Sequence, residues 1–148
     1  MNNIKKIKEV LKENGLRVTQ SRLAVAAILT RSNSVPLTSE EVFHKIKSSK
    51  VLHCDQVSVY RILSKFEELN IVKKSIFQGE ASRYMIQDEK NKPGQHHEHF
   101  FKCIACNTIE SIEGCLVSRK EKELESRGYT NLNHHLEITG ICPSCTQI

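Results

Sequence analysis

The chain has no run of about 18 apolar residues, so no segment of it is built to span a bilayer. Its opening stretch, Met1 to Val10, is lysine-rich and amphipathic and lacks the apolar core of an export signal. There is no internal repeat and no low-complexity tract. No H-E-x-x-H or comparable constellation supplies a metal site with a general base. These absences leave little room for a membrane protein, a secreted scaffold or a metallo-enzyme, and make the cytoplasm the expected compartment. They also change the meaning of the six cysteines: in a reducing compartment, metal binding or redox chemistry comes before a disulfide framework.

What is present is short and unevenly charged. A chain of 148 residues allows one ordinary domain or two small ones, and two small ones would each need help from metal or dimerisation. Residues 1–87 hold 15 Lys and Arg against 8 Asp and Glu, whereas residues 88–148 hold 7 against 9. A basic half beside a mildly acidic one suggests that the first half meets a polyanion.

The hydrophobic spacing predicts helices over 3–14, over 20–31 capped by Thr19, over a capping box at Thr38-Ser39-Glu40-Glu41, and after Asp55. The second is expected to pack through Leu23, Ala26, Ala27 and Thr30, and the fourth through Val59, Ile62, Leu63, Phe66 and Leu69. Strand-like runs at 71–77 and 82–86, joined through Gln78-Gly79-Glu80-Ala81, read as a hairpin. This is the element order of a winged helix-turn-helix. With its core stripe turned inward, the fourth helix presents Gln56, Tyr60 and Ser64, flanked by Ser58, Arg61 and Lys65. Amides and hydroxyls can reach base edges and cations can reach phosphates, and Lys73, Lys74 and Arg83 on the hairpin add charge.

Residues 88–96 are polar, contain Pro93-Gly94 and read as a hinge. The remainder, 97–148, reads as a small α/β domain: strands over 100–105 and 108–112, a helix over 114–127, and a last strand or two within 129–140. The expected fold class is therefore α+β, with a winged helix-turn-helix over 1–87 followed by a small α/β domain.

Metal chemistry is concentrated in that second domain. Two C-x-x-C turns, Cys103/Cys106 and Cys142/Cys145, can offer four sulfurs to one tetrahedral Zn2+, giving one structural zinc per subunit. A thioredoxin-like redox pair or partnerless thiols are the alternatives, although redox use needs one pair and not two. A second cluster surrounds His96, His97, Glu98, His99, His134 and His135. On a strand His97 and His99 share a face, and the zinc site draws His134 towards them. Cys115, Glu113 and Glu110 are candidates to complete it. His44, His53 and Cys54 read as ordinary structural residues.

The residues Gly15-Leu16-Arg17-Val18-Thr19-Gln20-Ser21-Arg22, Val57-Ser58-Val59-Tyr60-Arg61-Ile62-Leu63, the His-His-Glu-His run and both C-x-x-C pairs together resemble the Fur (ferric uptake regulator) family of bacterial metal-dependent repressors. The resemblance covers nearly the whole chain. It implies a homodimer whose N-terminal winged helix binds double-stranded operator DNA and whose C-terminal domain dimerises and binds metal, with no enzymatic activity, no membrane association and no small organic ligand. By position, Arg17 and Arg22 would meet the DNA backbone or minor groove, and Tyr60 and Arg61 would make recognition-helix contacts. The hinge sensor site usual in the family is depleted here: Val35 or Pro36 stands for its His, and Met85 follows Tyr84. Three residues rather than two separate His99 from Cys103, and Ser111 stands where an acidic ligand is common. A register slipped by one would bring in His96 and Glu98, with Glu80 or Asp88. The other regulatory site keeps His97, His99 and His134, with Cys115 near the place of its helix carboxylate. Imidazoles with a thiolate favour Zn2+, and carboxylate-rich sets favour Fe2+, so the expected sensory metal is zinc or iron. A peroxide-sensing member of the family, or a zinc-stabilised interaction module without a DNA role, are the alternatives.

Overall fold

The computed structural model describes residues 2–33, 35–87 and 98–147, and the chain divides into two compact units, Met1–Gln87 and Asp88–Ile148. The expected hinge, 88–96, lies outside the described residues.

The first unit is a winged helix. Helix α1 (Asn2–Glu13) turns Leu11 into the core and ends where Gly15 takes φ +68°, a left-handed cap that glycine adopts without a Cβ clash. Helix α2 (Gln20–Arg31) begins at Thr19, whose hydroxyl accepts from the Arg22 backbone N–H. Its buried residues are Ala24, Val25, Ala26, Ile28 and Leu29, and the expected Leu23, Ala27 and Thr30 are half-buried. The difference has a physical cause: α2 packs against several elements at once, so a single-stripe pattern does not describe it.

Strand β1 (Leu37–Thr38) leads into helix α3 (Ser39–Ser48) through the anticipated capping box: Thr38 Oγ1 accepts from the Glu41 backbone N–H at 3.1 Å, and Glu41 accepts from the Thr38 backbone N–H at 2.8 Å. Helix α4 (Gln56–Glu68) is capped by Asp55 and buries Val59, Leu63 and Phe66 completely, with Ile62 and Leu69 half-buried beside them. Strands β2 (Val72–Ser75) and β3 (Arg83–Ile86) form the wing, turning near Gly79 at φ +76°. The sheet order is β1-β3-β2, all antiparallel. Strand β1 was not expected, since two residues are too few to show an alternation.

Arg83 corrects the expected wing surface. Its side chain is buried, donating to Glu41 at 2.8 Å and to the Pro36 carbonyl at 3.3 Å, so it ties β3 to the start of α3. It is not an outward cation for DNA.

In the second unit, β4 (His99–Cys103) lies between β5 (Ile109–Ile112), antiparallel, and β6 (Ile138–Gly140), parallel. Helix α5 (Ser118–Ser126) lies on the crossover to β6, and a short helix α6 (Pro143–Thr146) follows it. The expected helix over 114–127 is shorter than its pattern, because Gly114 sits at φ +80° and residues 115–118 form a turn before α5. Of the expected strand within 129–140 just three residues pair; Asn131 at φ +56° breaks the extended run.

Among the described residues, the buried apolar side chains of this unit are Phe100, Cys103, Ile109 and Cys142. Two of the four are cysteines of the C-x-x-C pairs. So small a core cannot hold a unit of this size by burial alone, which throws its stability onto the cysteines.

Candidate metal centres and nucleic-acid interface

The end of β4 and the start of α6 bring the two C-x-x-C turns together because β4 and β6 run parallel, pairing Cys103 with Gly140. The Sγ atoms of Cys103, Cys106, Cys142 and Cys145 lie within 4.8 Å of one another. Cys106 and Cys142 are 3.7 Å apart. A disulfide would place them about 2.05 Å apart, whereas Zn–S bonds of about 2.3 Å give a tetrahedral edge of about 3.8 Å. The backbone continues the same preference. The Cys142 N–H donates to Cys103 Sγ at 3.3 Å, and the Cys106 sulfur and the Thr108 hydroxyl are 3.1 Å apart. Backbone N–H groups, of Cys106 first and then Cys142, lower the Cys103 thiol to about 6. The Thr108 hydroxyl lowers Cys106, while the thiols of Cys142 and Cys106 push Cys145 up to about 12. The cluster collects more negative charge than it can hold unaided, and a bound dication allows all four sulfurs to be thiolates. The residues therefore fit a structural zinc.

A second set of donors stands further along β4. His99, buried on the strand, meets His134 from the segment before β6 and Cys115 from the turn before α5. Their ligand atoms also fall within 4.8 Å of one another. His134 Nε2 is 3.4 Å from His99 Nε2 and 3.4 Å from Cys115 Sγ. Two nitrogens on a tetrahedral Zn2+ with bonds of about 2.0–2.1 Å would be about 3.4 Å apart, so this set also fits a metal. His134 Nδ1, on the other side of the ring, is 2.5 Å from Glu121 Oε1 of α5.

The structure brings together His99, Cys115 and His134 of the expected sensor residues. His96 and His97 lie outside the described residues. Glu98, Glu110, Glu113 and His135 stand outside the cluster: Glu110 and Glu113 are exposed, and exposed His135 is 3.8 Å from Glu137. Glu121 was missed by sequence reasoning. The sequence offers just its spacing from Ser118 and Leu124, the half-buried residues of α5, which does not set it apart from the other glutamates of that helix.

On the outer face of α4, Gln56, Tyr60, Arg61 and Ser64 are exposed, Tyr60 to 61%. Ser58 is half-buried and its hydroxyl donates to Asp55 at 2.6 Å, so it serves the helix cap. Those hydrogen bonds from Ser58 lower the Asp55 carboxyl. Val57, exposed to 67% and one turn before Tyr60, belongs to the same face and was not singled out from the sequence. Arg17 is exposed; Arg22 is half-buried and donates to the Arg17 carbonyl at 2.7 Å, which ties its guanidinium to the backbone at Arg17.

A family model described as the Ferric uptake regulator family matches residues 13–139. The chain belongs to the Ferric uptake regulator family. It is a metal-responsive transcriptional regulator of that family, whose members are not enzymes. Among its relatives, a ferric uptake regulation protein of Legionella pneumophila is 30% identical over 136 residues, 91% of this chain and 95% of that protein. The structure of the Vibrio cholerae ferric uptake regulator superposes with a TM-score of 0.74 at 25% identity, covering 90% of this chain and 98% of that one. That of the Francisella tularensis regulator, solved with iron, gives a TM-score of 0.72 at 25% identity over 89% and 96% of the two chains. Among the described residues no helix is long and apolar enough to cross a membrane.

Proposed function

We propose that this member of the Ferric uptake regulator family represses metal-uptake or metal-homeostasis genes as a cytoplasmic homodimer, binding operator DNA when His99, Cys115 and His134 hold a regulatory metal. The observation that carries the reading is the meeting of these three donors, separate from the four cysteines and built from β4, the turn before α5 and the segment before β6. A site drawn from three separate stretches of chain can fix their relative positions when metal binds. That makes occupancy a means of selecting one state of the protein. The two-nitrogen, one-sulfur set favours Zn2+ over Fe2+, since a thiolate is a soft ligand; iron is the other candidate. Cys103, Cys106, Cys142 and Cys145 hold one structural zinc per subunit.

In this reading residues 1–87 are the DNA-binding domain, 88–96 the hinge and 97–148 the dimerisation domain. Gln56, Tyr60 and Arg61 enter the major groove, the Tyr60 ring against a thymine methyl. Arg17 and Arg22 bind phosphates and Ser58 holds the helix cap. The role is regulation and not catalysis.

Metal content tests the assignment of the two sites. The native chain retains one zinc that mild chelation does not remove and takes up a second that it does. Cys115→Ser keeps the first and loses the second. A native chain that binds one metal in all, or a Cys115→Ser chain that still binds two, contradicts the assignment.

A further inference from the structure

We propose that Glu121 is the positioning residue of the regulatory centre: its carboxylate fixes the His134 ring so that Nε2 serves as the ligand, and through it the centre is fastened to helix α5. The inference rests on the reading of His99, Cys115 and His134 as a metal site and goes one residue further.

Three observations support it. The first is the line of atoms: Glu121 Oε1 stands 2.5 Å from His134 Nδ1, and His134 Nε2 stands 3.4 Å from both Cys115 Sγ and His99 Nε2. A carboxylate only accepts hydrogen bonds, so the Nδ1 proton sits between ring and carboxylate, and the Nε2 lone pair is left for the metal. The second is burial. The His134 side chain is 11% exposed and that of Glu121 23%, so the contact is sheltered, unlike the Lys120–Glu123 pair on the same helix, where both side chains are more than half exposed. The third is the poverty of α5 itself. It buries no residue completely, and its inward stripe is half-buried Ser118, Glu121 and Leu124. The polar link through Glu121 therefore lies at the middle of the face that docks the helix. A hydrogen-bonded carboxylate behind a ligand histidine holds the tautomer and orientation of the ring, and losing such a partner weakens metal binding by about 10–100-fold.

The experiment uses the full chain carrying its structural zinc. Glu121→Gln keeps the shape of the side chain and removes its charge, and Glu123→Gln on the exposed side of α5 is the control. Zn2+ affinity of the second site is measured by competition with a chromophoric chelator, and Co2+ is followed through its thiolate charge-transfer band. The expected result is a loss of affinity of about 10–100-fold for Glu121→Gln, with native affinity for Glu123→Gln and unchanged thermal unfolding for both. If Glu121 served helix packing alone, the isosteric Gln would leave affinity within about twofold of native, which would overturn the proposal.

A measurement on the unaltered chain keeps the idea testable should Glu121→Gln fail to fold. In nitrogen-15 NMR of the Zn2+-loaded protein, His134 is expected to carry its proton on Nδ1, exchanging more slowly than that of exposed His135. Coordination through Nδ1 would overturn it. A native chain with no second Zn2+ site, or one indifferent to Cys115→Ser, removes the underlying metal site as well; native affinity in Glu121→Gln removes the role of Glu121 alone.

Discussion

Cys106 and Cys142, separated by 36 positions in the chain, hold their sulfurs 3.7 Å apart. That distance is too long for a disulfide and close to the tetrahedral edge of a zinc–thiolate centre. Because Cys142 and Cys103 of the same cluster also supply half of the buried apolar side chains among the described residues of the second unit, metal and fold are coupled there.

Stability should therefore follow cysteine ionisation. In the metal-free chain the folded state holds the Cys103 thiol at about 6 against an ordinary 9.0, so between those values the unfolded chain binds more protons. This contribution is complete above pH 9 and lost as pH falls through 6. The Cys145 shift, up to about 12, works in the opposite direction and lowers stability as pH rises from 9 towards 12. Urea midpoints of the metal-free chain are expected to be higher at pH 8.5 than at pH 6, and to fall again at high pH. With zinc bound, acid should release the metal together with the fold of residues 98–147, read as loss of helix and strand signal.

The two metal sites are expected to respond differently to comparable substitutions. Cys103→Ser should lose the structural zinc and strongly lower the unfolding midpoint of the second unit. Cys115→Ser, at a half-buried position outside the four-cysteine cluster, should leave thermal unfolding of the protein carrying its structural zinc alone nearly unchanged and remove the second metal. Metal analysis beside circular dichroism separates the outcomes.

The link between wing and helix α3 gives a stability prediction for the first unit. Thr38→Ala removes a cap at a cost of about 1 kcal/mol. Glu41→Ala takes away the reciprocal half of the capping box and also strands buried Arg83, so its cost should be larger, about 1.5–3 kcal/mol for a hydrogen bond to a charged partner. Chemical denaturation of the two variants checks the order.

Much of this first unit could be read in advance, because its signals are local. Thr19, the Thr38–Glu41 box and Asp55 cap the helices for which they were named, and Val59, Leu63 and Phe66 form the stripe that their spacing gives. Arg83 was misread as a surface cation because burial of an arginine depends on Glu41, 42 positions away, and no local pattern carries that pairing. The same reason hid Glu121. His99, Cys115 and His134 announced themselves by residue type, whereas Glu121 is one of many glutamates until the fold sets it against His134. Glu113, nearer in sequence to Cys115, is exposed because the turn at Gly114 carries it away from the site.

At the nucleic-acid face, Tyr60→Ala should weaken binding to a selected duplex by about 1–3 kcal/mol and binding to random duplex far less, since it removes a base contact. Arg61→Ala, if it loses one phosphate contact, should reduce the slope of log affinity against log salt by about 1. Fluorescence anisotropy at several salt concentrations distinguishes the two.

The central claim is that metal at His99, Cys115 and His134 selects the DNA-binding state. Its most direct test is the affinity of the full chain, with its structural zinc in place, for a duplex selected from a random pool, measured at one fixed salt concentration with and without added Zn2+ or Fe2+. Affinity is expected to rise by about 5–150-fold with the regulatory metal, the range of ordinary allosteric coupling, and the rise should vanish in His134→Ala. Equal affinity with and without metal in the native chain would contradict the account.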